Sequence, residues 1–121
     1  MWGFTKEGFF SVVFDKYCKR DELMIRARCK GDLIKLSKKL HGYAGDSAIS
    51  ESLNGDYRYH MKVDRHMWGD YLLNYAVNID YSEVKKNIVS DGDKLRLDAY
   101  YEIWTALYRW QSMMERELPE D

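Results

Sequence analysis

The sequence predicts an α+β domain in which a three-stranded sheet of order 2-1-3 carries helices on one face, a two-layer sandwich of ferredoxin-like character. Three observations predict it. Phe9, Phe10, Val12, Val13 and Phe14 are apolar with only Ser11 between them, and a β-branched and aromatic run of this length reads as a strand covered on both faces. Two later stretches alternate apolar and polar residues with a period of two, the mark of a half-buried strand. The remaining apolar residues fall at helical spacing.

The first strand covers residues 9–15. Lys16 to Glu22 is polar apart from Tyr17 and Cys18 and serves as a hairpin loop. Leu23, Ile25 and Ala27 then alternate with Met24, Arg26 and Arg28, which gives a second strand over 23–29 with a basic outer face. Gly31-Asp32 opens a helix whose dipole favours the early aspartate. Leu33, Ile34, Leu36 and Leu40 form its apolar face, Lys35, Lys38 and Lys39 are solvated, and Gly42 is a left-handed stop. The Gly-, Ser- and Asp-rich stretch 42–56 reads as the most mobile loop. Tyr57, Tyr59, Met61 and Val63 alternate with Arg58, His60 and Lys62 as a third strand.

Asp64 is placed to cap the next helix, and Val63 and Trp68 have the spacing of a hydrophobic staple. Trp68, Tyr71, Leu72, Tyr75 and Ala76 form the predicted buried face. Asp80-Tyr81-Ser82-Glu83 has the spacing of a capping box for a short helix carrying Val84, Ile88 and Val89, and Asp91-Gly92-Asp93 breaks it. The last helix runs from Lys94 to Arg116, roughly 34 Å at the usual rise. Tyr100, Ile103, Trp104, Leu107 and Gln111 make its stripe, with Tyr101, Tyr108 and Trp110 beside it. Pro119 lies in an acidic tail over 116–121. A right-handed crossover through the first helix sets the third strand parallel to the second.

At 121 residues, 45% apolar and 32% charged, the chain reads as a single domain spanning 1–121. Ten Tyr, four Trp and four Phe make 15% of it, side chains that suit both cores and interfaces. A net charge of −1 gives no global attraction to nucleic acid or anionic membrane. There is no secretory or twin-Arg signal and no apolar run of 18 residues, so no membrane partner is expected. Cys18 and Cys29 sit at opposite ends of the predicted hairpin, too far apart to bridge. Free thiols fit a reducing compartment, and the expected location is cytoplasmic.

The opening Met1-Trp2-x-Phe4-Thr5-x-x-Gly8-Phe9-Phe10-Ser11-Val12-Val13 resembles the start of a family of small, largely uncharacterised bacterial and phage proteins. Arg26-Ala27-Arg28 with Asp32-Leu33, Ile79-Asp80-Tyr81, and Asp98-Ala99-Tyr100 followed by Trp104 and Tyr108 are similar to it as well. The resemblance spans most of the chain but omits the lysine-rich 35–39 segment and the 42–56 loop. It implies a compact α+β domain, often encoded near mobile elements, and carries no catalytic residues.

Arg26, Arg28, Arg58, His60 and Lys62 all project to one side of the sheet if both strands keep their alternation. With Phe9 beside them, they form in outline a stacking-plus-charge surface of the kind that holds single-stranded nucleic acid. There is no RNP-type aromatic motif, and the alternative is a solvated face whose cations prevent edge aggregation. His41, His60 and His66 suggest a metal, and His66 and Asp70 share a helix face, but two ligands do not close a site, and Cys18 and Cys29 have no zinc-like spacing. Asp91 to Asp93 lack the twelve-residue spread of a calcium loop. Gly-rich phosphate loops and Gly-x-Ser-x-Gly are absent. No cofactor is expected. The leading expectation is a non-catalytic protein that binds a protein partner, in its sharpest form a phage or mobile-element antagonist of host defence of the anti-CRISPR type. An RNA- or single-stranded-DNA-binding module on the basic sheet face is the alternative. A small enzyme with a site near Asp64, His66 and the 42–56 loop is the third. The oligomeric state is not set by these residues.

Overall fold

The computed structural model describes residues 1–40, 48–53, 55–80, 86 and 92–117. The chain divides into two compact units, Met1–Ile79 and Asp80–Asp121. His41, the Gly42 stop, most of the expected capping box and of its short helix, and residues 118–121 of the acidic tail lie outside the described residues.

The first unit is α+β. Its strands are β1 (Trp2–Thr5), β2 (Gly8–Val13), β3 (Glu22–Ala27), β4 (Ser50–Glu51) and β5 (Tyr59–Asp64), and its helices are α1 (Lys30–Ser37) and α2 (Arg65–Val77). The five strands form one sheet of order β1-β2-β3-β5-β4, antiparallel throughout. This overturns the three-stranded 2-1-3 sheet and its ferredoxin-like parallel crossover.

The reason begins at the amino end. Trp2-Gly3-Phe4-Thr5 forms an edge strand that folds back on β2 through the two-residue turn Lys6-Glu7, pairing Thr5 with Gly8 and Trp2 with Ser11. β2 then has β1 on one side and β3 on the other, so it has no free edge for a further strand. β5 takes the free edge of β3, and β3, not the greasy first run, is central. The direction is set by a strand inserted before β5. β4 and β3 are each antiparallel to β5, so β4 runs in the direction of β3 and the return from β4 into β5 reverses the chain. Tyr59 therefore pairs with Ala27. The expected loop over 42–56 also contains β4, which pairs with the start of β5.

Alternation then sorts the sheet. Phe10, Val12, Ile25, Ala27, Met61 and Val63 join Leu33, Leu36 and Leu40 after them, and Trp68 and Tyr71 from α2, in one core. The two helices thus cover one face. Lys35, Lys38 and Lys39 are exposed as expected, whereas Ala76 is exposed and drops out of the predicted buried face. Asp64 caps α2 by accepting the His66 backbone N–H at 2.7 Å, and Val63 and Trp68 both enter the core. Phe14 lies beyond β2 and is exposed, under the Arg65 guanidinium.

α2 also clamps the first turn. The Tyr71 hydroxyl donates to Glu7 Oε1 at 2.5 Å and lies 2.8 Å from Thr5 Oγ1, and the Lys6 N–H donates to Tyr75 Oη at 3.1 Å. Burial first, and the Glu7 contact second, push the Tyr71 phenol well above its ordinary range. A phenol in an unfolded chain loses its proton near pH ~10. In the fold it keeps that proton to higher pH. Its stabilising contribution is therefore full below about pH 10 and drains as pH rises toward the folded value. Urea unfolding between pH 9 and 11 is expected to lose stability more steeply in the wild type than in Tyr71→Phe. Parallel pH profiles would show that Tyr71 is not held in this way.

The second unit contains α3 (Lys94–Glu117), 24 residues long. Asp93 caps it, accepting the Arg96 backbone N–H at 3.0 Å and pairing with the Arg96 side chain at 2.9 Å. Of its residues none is buried, and Trp104, in the middle of the predicted stripe, is 57% exposed. No helix among the described residues is long and apolar enough to cross a membrane.

Candidate functional site

The face of the sheet opposite the helices gathers the chain's unusual side chains. The register sets Trp2 opposite Ser11, Ser11 opposite Arg26, Arg26 opposite His60, and His60 opposite Ser50. With strands about 4.8 Å apart, this single row crosses roughly 19 Å of surface. On one side of it Phe4 faces Phe9, and on the other Val13, Met24 and Lys62 follow one another.

The aromatic end is built by the β1–β2 hairpin. Phe4 and Phe9 stack with centroids 4.6 Å apart, and Trp2 meets Phe9 edge-on at 5.8 Å. Trp2 is 70% exposed and Phe4 40% exposed, so two aromatic surfaces stand open to solvent on an edge strand.

The cationic end is built by β3 and β5. Arg26 Nη2 donates to Ser11 Oγ at 2.7 Å, which ties the guanidinium back toward the aromatic end. Its Nε is buried without a hydrogen-bond partner. The Arg26 and Arg28 guanidinium carbons lie 4.6 and 4.2 Å from the centroid of the buried Tyr57 ring, close enough for cation–π attraction. Arg26, His60 and Lys62 share an open groove of about 490 Å³ with Met24 and Tyr57, and Asp15, Tyr17 and Asp56 also line it.

The five cations expected on this face therefore divide. Arg26, His60 and Lys62 lie within strands and line one groove. Arg28 and Arg58 fall just outside the strand ends and line a neighbouring depression of about 280 Å³. Arg28 donates to the Asp56 carbonyl at 2.6 Å. Arg58 pairs with Glu51 at 2.7 Å, and that hydrogen bond holds its guanidinium still more firmly in the charged form. Sequence reasoning missed Trp2, Phe4 and Tyr57. The alternation Trp2-Gly3-Phe4-Thr5 before a polar dipeptide was the available signal for the first two.

Charge is unevenly distributed. Residues 1–79 carry 13 Lys and Arg against 10 Asp and Glu, a formal +3, and residues 80–121 carry 6 against 10, a formal −4. His66 is exposed in the first turn of α2, and neither it nor Asp64 lines these two cavities. Among the described residues no group of three or more His, Cys, Asp and Glu is placed to hold a metal ion. Cys18 and Cys29 are free thiols, and Cys18 Sγ lies 3.4 Å from Asp15 Oδ1.

No protein-family model, curated protein or solved structure matches the chain.

Proposed function

We propose that the sheet face opposite α1 and α2 binds a short stretch of single-stranded nucleic acid, and that the protein acts by binding rather than by catalysis. The observation that supports this reading is the placement of Trp2, Phe4 and Phe9 on the same face, and in adjoining rows, as Arg26, His60 and Lys62. Bases stack on exposed rings whatever their sequence, and cations along the same track meet the phosphates. The positive balance of Met1–Ile79 favours the encounter although the whole chain is near neutral. The free thiols Cys18 and Cys29 suit a cytoplasmic setting.

The test is fluorescence anisotropy with a labelled single-stranded 12-mer between 50 and 200 mM salt. Two or three phosphate contacts predict that affinity falls on the order of tenfold across that range. Trp2→Ala is expected to weaken binding by about 1–3 kcal/mol, the usual worth of one stacked base. Arg26→Ala is expected to weaken binding and to flatten the salt dependence. Absent or salt-independent binding removes the reading.

A second reading is a protein partner on this face, with an anti-CRISPR-type antagonist of phage or mobile-element origin as its sharpest form. The carboxylates of Asp15 and Asp56 favour it, because they line the same groove and repel phosphate. In that case the oligonucleotide fails to bind, and pull-down from host lysate yields a partner that Trp2→Ala releases.

A further inference from the structure

We infer that the groove over β3 takes a guanine, which would make the protein base-selective; this rests on the single-strand binding proposed above. The groove is about 490 Å³, within the range of roughly 300–1,000 Å³ usual for ligand sites. Its mixed charge separates it from a plain phosphate track. Arg26, His60 and Lys62 offer donors to it, and Asp15 and Asp56 offer acceptors. Among the described residues no ion pair joins the two sets. Both therefore stay available to a ligand that presents donors and acceptors together.

The register orders these groups. Asp15 lies two residues past Val13, Val13 pairs with Met24, and Met24 pairs with Lys62. Asp56 stands at the other end of β3, where Arg28 holds its carbonyl at 2.6 Å. Asp15 Oδ1 accepts the Tyr17 N–H at 2.9 Å, which fixes the carboxylate in the turn after β2. Tyr17, 63% exposed, lines the same groove. Of the cations, Arg26 is already engaged by Ser11 Oγ and the Tyr57 ring. Lys62 is exposed and has no side-chain partner among the described residues.

Guanine fits this set. Alone among the bases it places two neighbouring donors, N1–H and the N2 amino group, beside two neighbouring acceptors, O6 and N7. A carboxylate accepts two such N–H groups in parallel. Lysine donates to O6 and N7. Asp15 thus reads the donors, Lys62 the acceptors, and Tyr17 offers a ring on which the base stacks. The carboxylate that would repel a phosphate selects a base instead.

The test is fluorescence anisotropy with labelled thymine 12-mers that differ in one central base. The guanine 12-mer is expected to bind on the order of tenfold tighter than the adenine one. Inosine lacks the N2 amino group and 7-deazaguanine lacks N7, so each should lose most of that gain on the unaltered protein. Asp15→Asn can still accept the Tyr17 N–H, and Asn suits adenine N6 and N7. It should erase the preference for guanine and leave the adenine 12-mer bound at least as tightly. If Asp15→Asn fails to fold by circular dichroism, the inosine and 7-deazaguanine 12-mers decide. Equal binding of the guanine and adenine 12-mers overturns the inference and leaves the single-strand reading standing. Failure of every 12-mer to bind overturns both. A guanine preference that survives in folded Asp15→Asn, or that neither altered base reduces, also overturns the inference.

Discussion

Gly8→Ala is expected to destabilise the protein by at least ~3 kcal/mol, more than its one added methyl group suggests. Gly8 has φ +145°, a conformation that side-chain-bearing residues rarely adopt. A Cβ there would also run into the Asp32 carboxyl group and lie 2.6 Å from the Asp32 Cβ. Asp32 has no room to retreat: it is buried in the first turn of α1 and accepts the Phe9 N–H at 3.1 Å. The methyl group must therefore displace either the helix or the strand. Asp32→Ala alone should cost about 1–3 kcal/mol through the stranded Phe9 N–H. The double variant should be less destabilised than the sum of the two, because the steric part vanishes with the carboxylate while the φ strain remains. Chemical denaturation measures all three. A Gly8→Ala protein within 1 kcal/mol of wild type would mean that β2 and α1 do not meet at this point.

Phe10→Ala should cost about 3–5 kcal/mol. Phe10 is completely buried, with Trp68 of α2 edge-on at a centroid distance of 6.5 Å. It shares one core with fully buried Ile25, Leu33 and Leu36, whose backbones belong to β3 and α1. Collapse into the vacated space would require both elements to shift, which is why the upper part of the range is expected. Domains of this size hold only about 5–15 kcal/mol in total. A thermal melt should drop by tens of degrees. Phe10→Leu, which keeps most of the volume, should cost less than ~1.5 kcal/mol. A melt within two or three degrees of wild type for Phe10→Ala would place that ring outside the core.

What was legible in the sequence was local. The alternation of Leu23 to Arg28 and of Tyr57 to Val63, the Asp64 cap and the apolar faces of the first two helices follow from period and end chemistry. Both families of information act within a few residues. Pairing does not. Residues 9–13 are strand as their composition implies, with Phe14 falling just past its end, but their neighbours depended on Trp2 to Thr5, a four-residue strand half composed of exposed aromatics and one glycine. Once that short edge is overlooked, β2 acquires a free side it does not have, and both strand order and direction go wrong. The candidate site shows the same division. Arg26, His60 and Lys62 share a face because alternation within a strand is a local rule. Arg28 and Arg58 leave it because each sits one residue past a strand end. The stripe through Trp104 is legible as helical spacing, which does not say what covers it.

The two tyrosines that hold the Lys6-Glu7 turn are 69 and 64 positions away in the chain. During synthesis at about 5–20 residues per second, the amino-terminal hairpin leaves the ribosome several seconds before Tyr71 and Tyr75 exist to fasten it. Throughout that interval Trp2, Phe4 and Phe9 ride on an unclamped ribbon. Nascent-chain chaperones would find a handle on this protein there, and translation pauses placed before α2 would lengthen the exposure.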